Sequence, residues 1–394
     1  MKKILILGAS FLQVPIIKEA NRLGYKSIVI DQNPQAEGFR YADDYKLIST
    51  LDYKKIRELV ADARPDGIVT AATDMPMRVI SKIGQEFNLN TIPYNVACNT
   101  TDKVLMREKL YMDNVPMPKF KVVKNFEEFN QAINTMKGKC IIKPADSSGS
   151  RGVYLLENRL NLLEKYERTK RYSKSGVILV EEFLQGKEVS VEAFTENGQT
   201  TIIAITDKIT TAPPYFTEMG HVIQSDLNEA ESTAVKDLTI QTIQSMGIKL
   251  GPTHTEIMVT DKGPKVIEIG ARLGGDMISS HLVPHATGIN LLELHLRQSV
   301  RDKLPNYNNV KNNGSAIRYF NSHKGVLKKI EIPELLFNNE NVIDIQINKE
   351  IGSKIENIND STSRIGFIVC KGTDSKAAIN ECEKALKEIK IFIE

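Results

Sequence analysis

Residues 143–152 read KPADSSGSRG: a lysine followed by small, hydroxyl-bearing and glycine residues. Apolar residues from Cys140 to Lys143 predict a strand before this loop, and Gly152 to Leu156 predict another after it. Such a loop lets backbone N–H groups approach phosphate oxygens without obstruction by side chains. It is not the Walker pattern, in which the lysine follows the loop. Taken alone, a glycine-rich hairpin turn that binds nothing is an equally good interpretation.

The second informative run, residues 180–188, reads VEEFLQGKE. An apolar strand ends in two carboxylates, and Phe183 and Leu184 follow them. These two side chains would form a flat apolar slot that suits the edge of a purine, and Glu188 could reach a ribose. A solvated strand end is the alternative, because exposed pairs of glutamates usually carry no ligand.

A predicted hairpin supplies the third feature. Strands at Thr253 to Thr260 and at Pro264 to Ile269 are joined by Asp-Lys-Gly, with Glu256 and Glu268 about equally far from the turn. Both carboxylates could face one spot, which suits Mg²⁺, a cation that takes oxygen ligands and keeps substrate phosphates in its shell. Without a metal, like charges across a hairpin repel. Arg272 lies close by and could bind a carboxylate or phosphoryl oxygen with two hydrogen bonds.

The N-terminus predicts a βαβ unit: a strand at Ile4 to Leu7, a helix at Phe11 to Leu23 and a strand at Ser27 to Ile30. Further helices are predicted at about 53–63, 77–87 and 229–246. Gly8 and Asp31 have the spacing of a dinucleotide site. Only the first glycine of G-x-G-x-x-G is present, however, since Ser10 and Gln13 replace the others. We therefore interpret this loop as a structural turn.

The chain-wide pattern predicts an α/β and α+β protein in three domains: residues 1–95 with a parallel sheet, residues 96–304 with mainly antiparallel strands, and a small α+β cap at 305–394. The second would include a lid at about 119–185. In parallel sheets, ligands bind beyond the carboxyl ends of the strands. Asp74 lies at that edge of the predicted sheet and is therefore a candidate ligand-binding residue.

Composition limits the partners. The 394 residues carry 52 Lys and Arg against 49 Asp and Glu, a net charge of +3, which offers no field for nucleic acid or an anionic membrane. No apolar run approaches the roughly 18 residues of a membrane span. The four cysteines are scattered without the spacing of a disulfide framework or metal knuckle, so we expect a cytoplasmic protein.

The three features and their order resemble one family, the ATP-grasp enzymes, and within it the carbamoyl-phosphate-synthase-like and L-amino-acid-ligase-like carboxylate–amine ligases. The resemblance covers about residues 1–299. It rests on Asp102-Lys103, KPADSSGSRG at 143, VEEFLQGKEVSVE at 180, HTEI at 254 and IEIGARLGGD at 267. It implies an ATP-grasp fold with a Rossmann-like N-terminal domain. Relatives of this architecture are commonly dimers, so a homodimer is compatible with it.

The resemblance also implies site residues. ATP would be bound by side chains or backbone of Lys103, Lys143, Ser147, Ser148, Gly149, Gly152, Glu181, Glu182, Phe183, Leu184 and Glu188. Mg²⁺ or Mn²⁺ would be held by Glu256 and Glu268. Catalysis would use Lys143, Arg272 and His254, the last to orient an acyl phosphate or to accept the proton of an amine, although a structural hairpin histidine is equally compatible. The substrate candidates are Asp74, Glu218, His221 and Asp276, the last to meet an ammonium or to cap a helix.

The implied reaction is attack of a substrate carboxylate on the γ-phosphate of ATP, followed by capture of the acyl phosphate by an amine, for which an amino acid is the expected candidate. One departure concerns position 270, where many family members have asparagine as a metal ligand and this chain has glycine. The alternatives are an enzyme that activates bicarbonate or another small acid, resembling carbamoyl-phosphate synthase or phosphoribosylglycinamide synthetase, and a non-catalytic ATP-binding protein. A redox enzyme using Gly8 and Asp31 is disfavoured.

Overall fold

A computed structural model describes residues 1–147 and 149–394. The N-terminal part is a parallel four-stranded sheet in the order β3-β2-β1-β4. Its strands are β1 (Lys3–Leu7), β2 (Lys26–Asp31), β3 (Asp44–Leu47) and β4 (Gly67–Val69). The helices of this part are α1 (Val14–Arg22), α2 (Tyr53–Ala63), α3 (Met77–Phe87), α4 (Tyr94–Thr101) and α5 (Lys103–Met112).

The predicted βαβ unit is confirmed, and the helices predicted at 53–63 and 77–87 coincide with α2 and α3. Helix α1 begins three residues later than predicted, at Val14, because residues 11–13 form a turn and Pro15 occupies the first helical turn, where its missing N–H is not needed. Strand β3 escaped prediction because it is a largely exposed edge strand and lacks an alternating apolar face.

The next part is a small antiparallel sheet in the order β5-β8-β6-β7. Its strands are β5 (Phe120–Val123), β6 (Cys140–Pro144), β7 (Tyr154–Leu156) and β8 (Ile178–Glu182), and its helices are α6 (Phe126–Thr135) and α7 (Leu162–Lys170). Phe129 and Tyr166 pack together between helices and sheet, with ring centroids 5.4 Å apart. The glycine-rich loop connects β6 to β7 at one edge of this unit.

The remaining strands are β9 (Lys187–Glu196), β10 (Gln199–Thr210), β11 (Glu218–Ile223), β12 (Gly251–Thr260), β13 (Gly263–Gly270), β14 (Gly314–Tyr319), β15 (Gly325–Glu331), β16 (Val342–Ile347), β17 (Lys354–Ile355), β18 (Gly366–Gly372) and β19 (Lys390–Ile393). Eight of them form one sheet in the order β13-β12-β9-β10-β11-β14-β18-β16, in which every described pair is antiparallel. The predicted cap therefore extends the central sheet through β14, β18 and β16. The three domain boundaries remain predictions.

The later helices are α8 (Glu229–Met246), α9 (Val283–Thr287), α10 (Leu291–Ser299), α11 (Glu334–Phe337) and α12 (Ser375–Glu388). Helix α8 shows local sequence control: Asn228 and Glu231 form a capping box at its start, and Gly247 adopts the left-handed conformation at its end. Within the described part of the chain, none of the helices is both long and apolar enough for a membrane crossing. Cys98, Cys140, Cys370 and Cys382 are free thiols.

Candidate functional site

A cleft of about 210 Å³ lies between the small sheet, the glycine-rich loop and the β12–β13 hairpin. Most of the predicted ATP residues line it: Lys103, Lys143, Ser147, Gly149, Glu181, Glu182, Phe183, Leu184 and Glu188. Gly152 does not line it, because its backbone faces Pro144 and Tyr172, where an added Cβ would lie 2.9 Å from either side chain. Ser148 lies outside the described residues.

The floor of the cleft is a buried ionic cluster. Arg107 donates from Nε to Glu181 Oε1 at 2.7 Å, and Lys143 Nζ lies 2.8 Å from Glu181 Oε2. Burial works against the charge of Glu181, but Arg107 and Lys143 outweigh it and lower its pKa to about 2. The predicted adenine contact of Glu181 therefore concerns its backbone, since its carboxylate orients Arg107 and Lys143. Burial lowers the pKa of Lys143, despite the opposing effect of Glu181.

An apolar slot forms one wall of the cleft. Phe183 and Phe216 stack with ring centroids 6.3 Å apart, and Ile141, Met258 and Ile267 line the same cleft. Glu182, at the rim, accepts a 2.6 Å hydrogen bond from Lys265. Apolar walls with polar groups at the rim suit a planar heterocycle.

The β12–β13 hairpin places Glu256 directly opposite Glu268 in register, as predicted. Both side chains line the cleft, and each has a lysine partner: Lys103 Nζ donates to Glu268 at 2.8 Å, and Lys208 Nζ lies 3.3 Å from Glu256. These ammonium groups offset the repulsion between two carboxylates on neighbouring strands. The pair therefore presents carboxylate oxygens to the cleft.

The donor chemistry fits a hard divalent cation that shares its shell with phosphate oxygens. Among residues 1–147 and 149–394, no group of three or more His, Cys, Asp or Glu side chains could hold a metal alone. Mg²⁺ typically uses one or two protein carboxylates and completes its shell with water and substrate phosphates. Glu256 and Glu268 match that requirement.

Lys208 is the centre of a second ionic network, which the sequence analysis missed. Its ammonium lies 2.6 Å from Glu188, 3.3 Å from Glu256 and 3.5 Å from Glu218. Burial disfavours its charge, but the three carboxylates prevail and hold its pKa well above the ordinary value. Burial raises the pKa of Glu188, an effect that Lys208 only partly offsets. Glu188, the predicted ribose contact, therefore has a lysine beside it.

His254 lies between two carboxylates. Its Nδ1 hydrogen-bonds the carboxylate of Glu192, and its Nε2 lies 3.5 Å from Glu256. Burial would lower its pKa, but Glu192 and Glu256 outweigh burial and raise the pKa to about 9. An imidazolium cannot accept a proton, so the alternative role, stabilising an anionic oxygen, fits the geometry better than that of a base for the amine.

Arg272 is held by Asp74 of the N-terminal part, with Nε and Nη2 each 3.0 Å from a carboxylate oxygen. This pair explains the glycine at 270. A Cβ there would lie 2.8 Å from Asp74 Oδ1 and 3.3 Å from Arg272 Nε. Gly270 therefore leaves room for a carboxylate that reaches the cleft from a different part of the chain.

A second cavity of about 460 Å³ adjoins the first and shares Asp74, Lys208, Glu256 and Arg272 with it. All four predicted substrate residues line it: Asp74, Glu218, His221 and Asp276. Three parts of the chain line it. Phe11 and Leu12 belong to the N-terminal part, Lys208 and Glu218 belong to the central part, and Lys349, Ser361 and Arg364 lie beyond residue 305.

Asp276 in this cavity is held in a strained conformation. Asp276 and Met277 have φ of +48° and +60°, a region that residues other than glycine seldom occupy, and a π-helical turn at Ile278–Leu282 follows. Arg364 binds both carboxylate oxygens at 2.8 Å, and His221 Nε2 lies 3.2 Å from one of them. Backbone strain and π-helical turns cluster at functional sites. The sequence analysis missed Arg364, as it missed Arg107 and Glu192, because no local motif marks them.

The Gly8 loop offers a contrasting arrangement. Asp31 accepts hydrogen bonds from the backbone N–H groups of Ala9 and Asn33, both at 2.9 Å, and Gln13 bonds Ser10 and the carbonyl of Ala71. The polar groups of the loop are thus satisfied by the chain itself. The interpretation as a structural turn fits this geometry.

Comparisons with known proteins agree with this geometry. Residues 136–280 match the model of the ATP-grasp domain, and residues 318–394 match the L-amino acid ligase C-terminal domain 2. Alanine–anticapsin ligase of Bacillus subtilis is 25% identical over 309 residues, covering 72% of this chain and 63% of that ligase. A formate-dependent phosphoribosylglycinamide formyltransferase of Hydrogenovibrio crunogenus is 22% identical over 413 residues. That alignment covers 99% of this chain and 96% of the formyltransferase.

A solved L-amino acid ligase from Bacillus licheniformis superposes with a TM-score of 0.88 at 20% identity, over 100% of this chain and 99% of that one. This likeness shows the fold. The matched domains, the fold and the convergence of lysines, carboxylates and a glycine-rich loop at one cleft lead to one conclusion. Residues 136–280 are an ATP-grasp domain, and residues 318–394 are a domain of the L-amino acid ligase type.

Proposed function

We propose that this protein is an ADP-forming carboxylate–amine ligase that uses ATP and Mg²⁺, or Mn²⁺ in its place. One observation carries the proposal. The cleft and the second cavity adjoin and share the cationic side chains of Arg272, His254 and Lys208, beside the carboxylate of Glu256. Cationic groups and a metal at such a junction are what phosphoryl transfer from a nucleotide to a neighbouring acid requires.

The adenine would occupy the slot at Phe183 and Phe216, with the phosphates directed towards Lys103 and Lys143 under the loop. Glu256 and Glu268 would hold the cation, which neutralises phosphate charge when bound. The acid and the amine would occupy the second cavity. Because the named amino acid ligases among the relatives act on amino acids, these are the first acids and amines to test.

In the first step an oxygen of the substrate carboxylate bonds to the γ-phosphorus while the bond to the β-γ bridging oxygen breaks, giving an acyl phosphate and ADP. In the second, the amine nitrogen bonds to the acyl carbon, phosphate leaves, and the ammonium loses its protons to solvent or a neighbouring group. Arg272 and the imidazolium of His254 would stabilise the anionic oxygens during both steps. Asp74 keeps the guanidinium of Arg272 oriented.

The decisive test is ADP release from ATP and Mg²⁺ across a panel of carboxylic acids, each with and without an amine, with bicarbonate as a separate arm. We expect release that requires both acid and amine, with a condensed product of matching mass. Release with bicarbonate alone would replace the proposal with carboxyphosphate chemistry. Absence of release in every arm would argue for a nucleotide-binding protein without turnover.

A further inference from the structure

Helix α5 carries two basic residues one turn apart on the same face, Lys103 and Arg107. Lys103 lines the cleft, and its Nζ donates to Glu268 of β13 at 2.8 Å. Arg107 lies behind the cleft surface, since 1% of its side chain is exposed and it is not a lining residue. A nucleotide in the cleft would meet Lys103 but not Arg107. Arg107 can therefore act on a ligand only through the residues that it binds.

The guanidinium of Arg107 connects two walls of the cleft. Its Nε donates to Glu181 Oε1 at 2.7 Å and its Nη2 to Oε2 at 3.3 Å, which fixes a carboxylate on β8 of the small sheet. The same Nη2 donates at 2.7 Å to the carbonyl of Ile267, in β13 of the eight-stranded sheet. Arginine that binds both oxygens of a carboxylate imposes an orientation as well as a charge. Arg107 thus sets the position of β8 relative to the residue that precedes Glu268.

Glu181 has a second basic partner, Lys143, which does line the cleft. The Nζ of Lys143 lies 2.8 Å from Glu181 Oε2, the oxygen to which Arg107 makes its longer bond. Because Arg107 reaches both oxygens, Glu181 keeps a charged partner when the ammonium of Lys143 turns towards another anion. Without Arg107, Lys143 would be the remaining basic partner of this buried carboxylate among the described residues. A buried carboxylate holds such a partner strongly, because the surroundings screen charge poorly.

We propose that Arg107 is a positioning residue that frees Lys143 for the phosphates of ATP by holding the carboxylate of Glu181. The inference rests on the proposed function, which directs those phosphates towards Lys143. An ammonium has several N–H donors and can turn one of them to a phosphate oxygen. With Arg107 in place, that movement does not leave a buried carboxylate unpaired. Without Arg107, ATP must compete with Glu181 for the ammonium.

The test is titration of the full chain with ATP and Mg²⁺, in the absence of acid and amine. Arg107→Gln removes the guanidinium, and Lys143→Gln removes the group through which it is proposed to act. A third protein carries both changes. Arg57→Gln is the matched control, because Arg57 forms a 2.5 Å pair with Glu86 on the surface, where half of its side chain is exposed.

Loss of one charge-assisted contact should weaken ATP binding about tenfold in Arg107→Gln and in Lys143→Gln. The protein with both changes should bind ATP within about twofold of Lys143→Gln, because the two residues act as one unit. Arg57→Gln should bind ATP as the wild type does. A further tenfold loss in the doubly changed protein would overturn the proposal, since Arg107 would then act independently of Lys143. Wild-type affinity in Arg107→Gln would also overturn it.

A second comparison separates this role from a loss of folding. Removal of one partner of a buried ion pair destabilises a protein, so thermal unfolding followed by circular dichroism accompanies each titration. Arg107→Gln combined with Glu181→Gln removes both charges, and its ATP affinity should lie within about threefold of the wild type, since no carboxylate then competes for Lys143. A loss of about tenfold in this protein, once folded, would overturn the proposal even where Arg107→Gln alone does not fold.

Turnover supplies a readout that a merely structural role would not give. In Arg107→Gln the KM for ATP should rise about tenfold, while the KM values for acid and amine stay within about twofold. An equal rise in all three would contradict an action through Lys143. Absence of ADP release by the wild type with every acid and amine would remove the ligase function, whereas the ATP titrations would still decide the role of Arg107. Absence of ATP binding by the wild type would remove both.

Discussion

Two loops in this molecule follow a strand and contain a glycine at positive φ, yet of these two glycines only Gly149 lines the cleft. At Gly8 (φ +101°), an added Cβ would lie 3.1 Å from the side chain of Gln13. At Gly149 (φ +65°), nothing lies within 4 Å, and the residue lines the cleft. The side chains of Asp31 and Gln13 form hydrogen bonds with the backbone N–H groups of the first loop. The lesson is that a glycine loop indicates a phosphate site only where the chain leaves its space and its polar groups unused.

The largest contrast should come from acidic residues near the two loops. Glu268→Gln keeps the size of the side chain but removes a charge that would hold the cation, so we expect turnover to fall by several powers of ten while folding is retained. Asp31→Asn is the control, and turnover should stay within about twofold. The rate of ADP release measures the turnover of each variant, and circular dichroism measures its folding. Retention of turnover within a few-fold in Glu268→Gln would contradict the metal assignment.

Two histidines extend the comparison. His295 contacts the N-terminal sheet, and burial lowers its pKa to about 4, whereas Glu192 and Glu256 raise that of His254 to about 9 against the effect of burial. The raised pKa means that the charge of His254 favours the folded state fully below the unfolded value of about 6.5 and loses this contribution as pH rises through about 9. NMR titration should show a midpoint near 9.

In Glu192→Gln the midpoint of His254 should fall by about two pH units, because the main charge that favours the imidazolium is gone. The midpoint of His295 should stay where it is, since burial alone shifts it. A His254 midpoint near 6.5 in the wild-type protein would contradict a charged role in the cleft.

Hydrogen exchange can separate the two loops directly. If the loop after β6 closes over ATP, the amides of residues 149–152 should exchange about tenfold more slowly when ATP and Mg²⁺ are added. The exchange of the amides of Ala9 and Ser10 should not change, because these N–H groups already donate hydrogen bonds to the side chains of Asp31 and Gln13. Equal exchange at 149–152 in both conditions would remove the closure.

The smallest effects should come from adding one methyl group to each glycine. Both positions have positive φ, so alanine costs about 1–2 kcal/mol of unfolding free energy in either case. Gly8→Ala should lie at the upper end, since Gln13 must also move, and should leave ATP affinity unchanged. Gly149→Ala should lie at the lower end and weaken ATP binding a few-fold. Urea titration measures the unfolding free energy of each variant, and nucleotide titration measures its ATP affinity. Weaker ATP binding by Gly8→Ala than by Gly149→Ala would contradict the contrast between the two loops.

Much of the fold could be predicted locally. Helices α2, α3 and α8 begin and end where the sequence pattern predicted them. Glu256 and Glu268 are paired as expected, but by a different route: the turn has two residues, Asp261 and Lys262, and a register shift after Glu256 brings it opposite Glu268. Helices α4 and α5 were missed. The joining of β14, β16 and β18 to the central sheet was also missed. Strand β14 pairs with β11 across more than 90 residues, and such a distant pairing leaves no local pattern.

The site divides in the same way. The sequence by itself determined the loop at 143–152, the carboxylate hairpin and the family, because each depends on neighbouring residues. Only the tertiary structure decided which charges are already paired: Arg107 with Glu181 over 74 positions, Arg364 with Asp276 over 88 and Arg272 with Asp74 over 198. The physical reason is that the strength of an ion pair depends on distance and burial, which the fold sets.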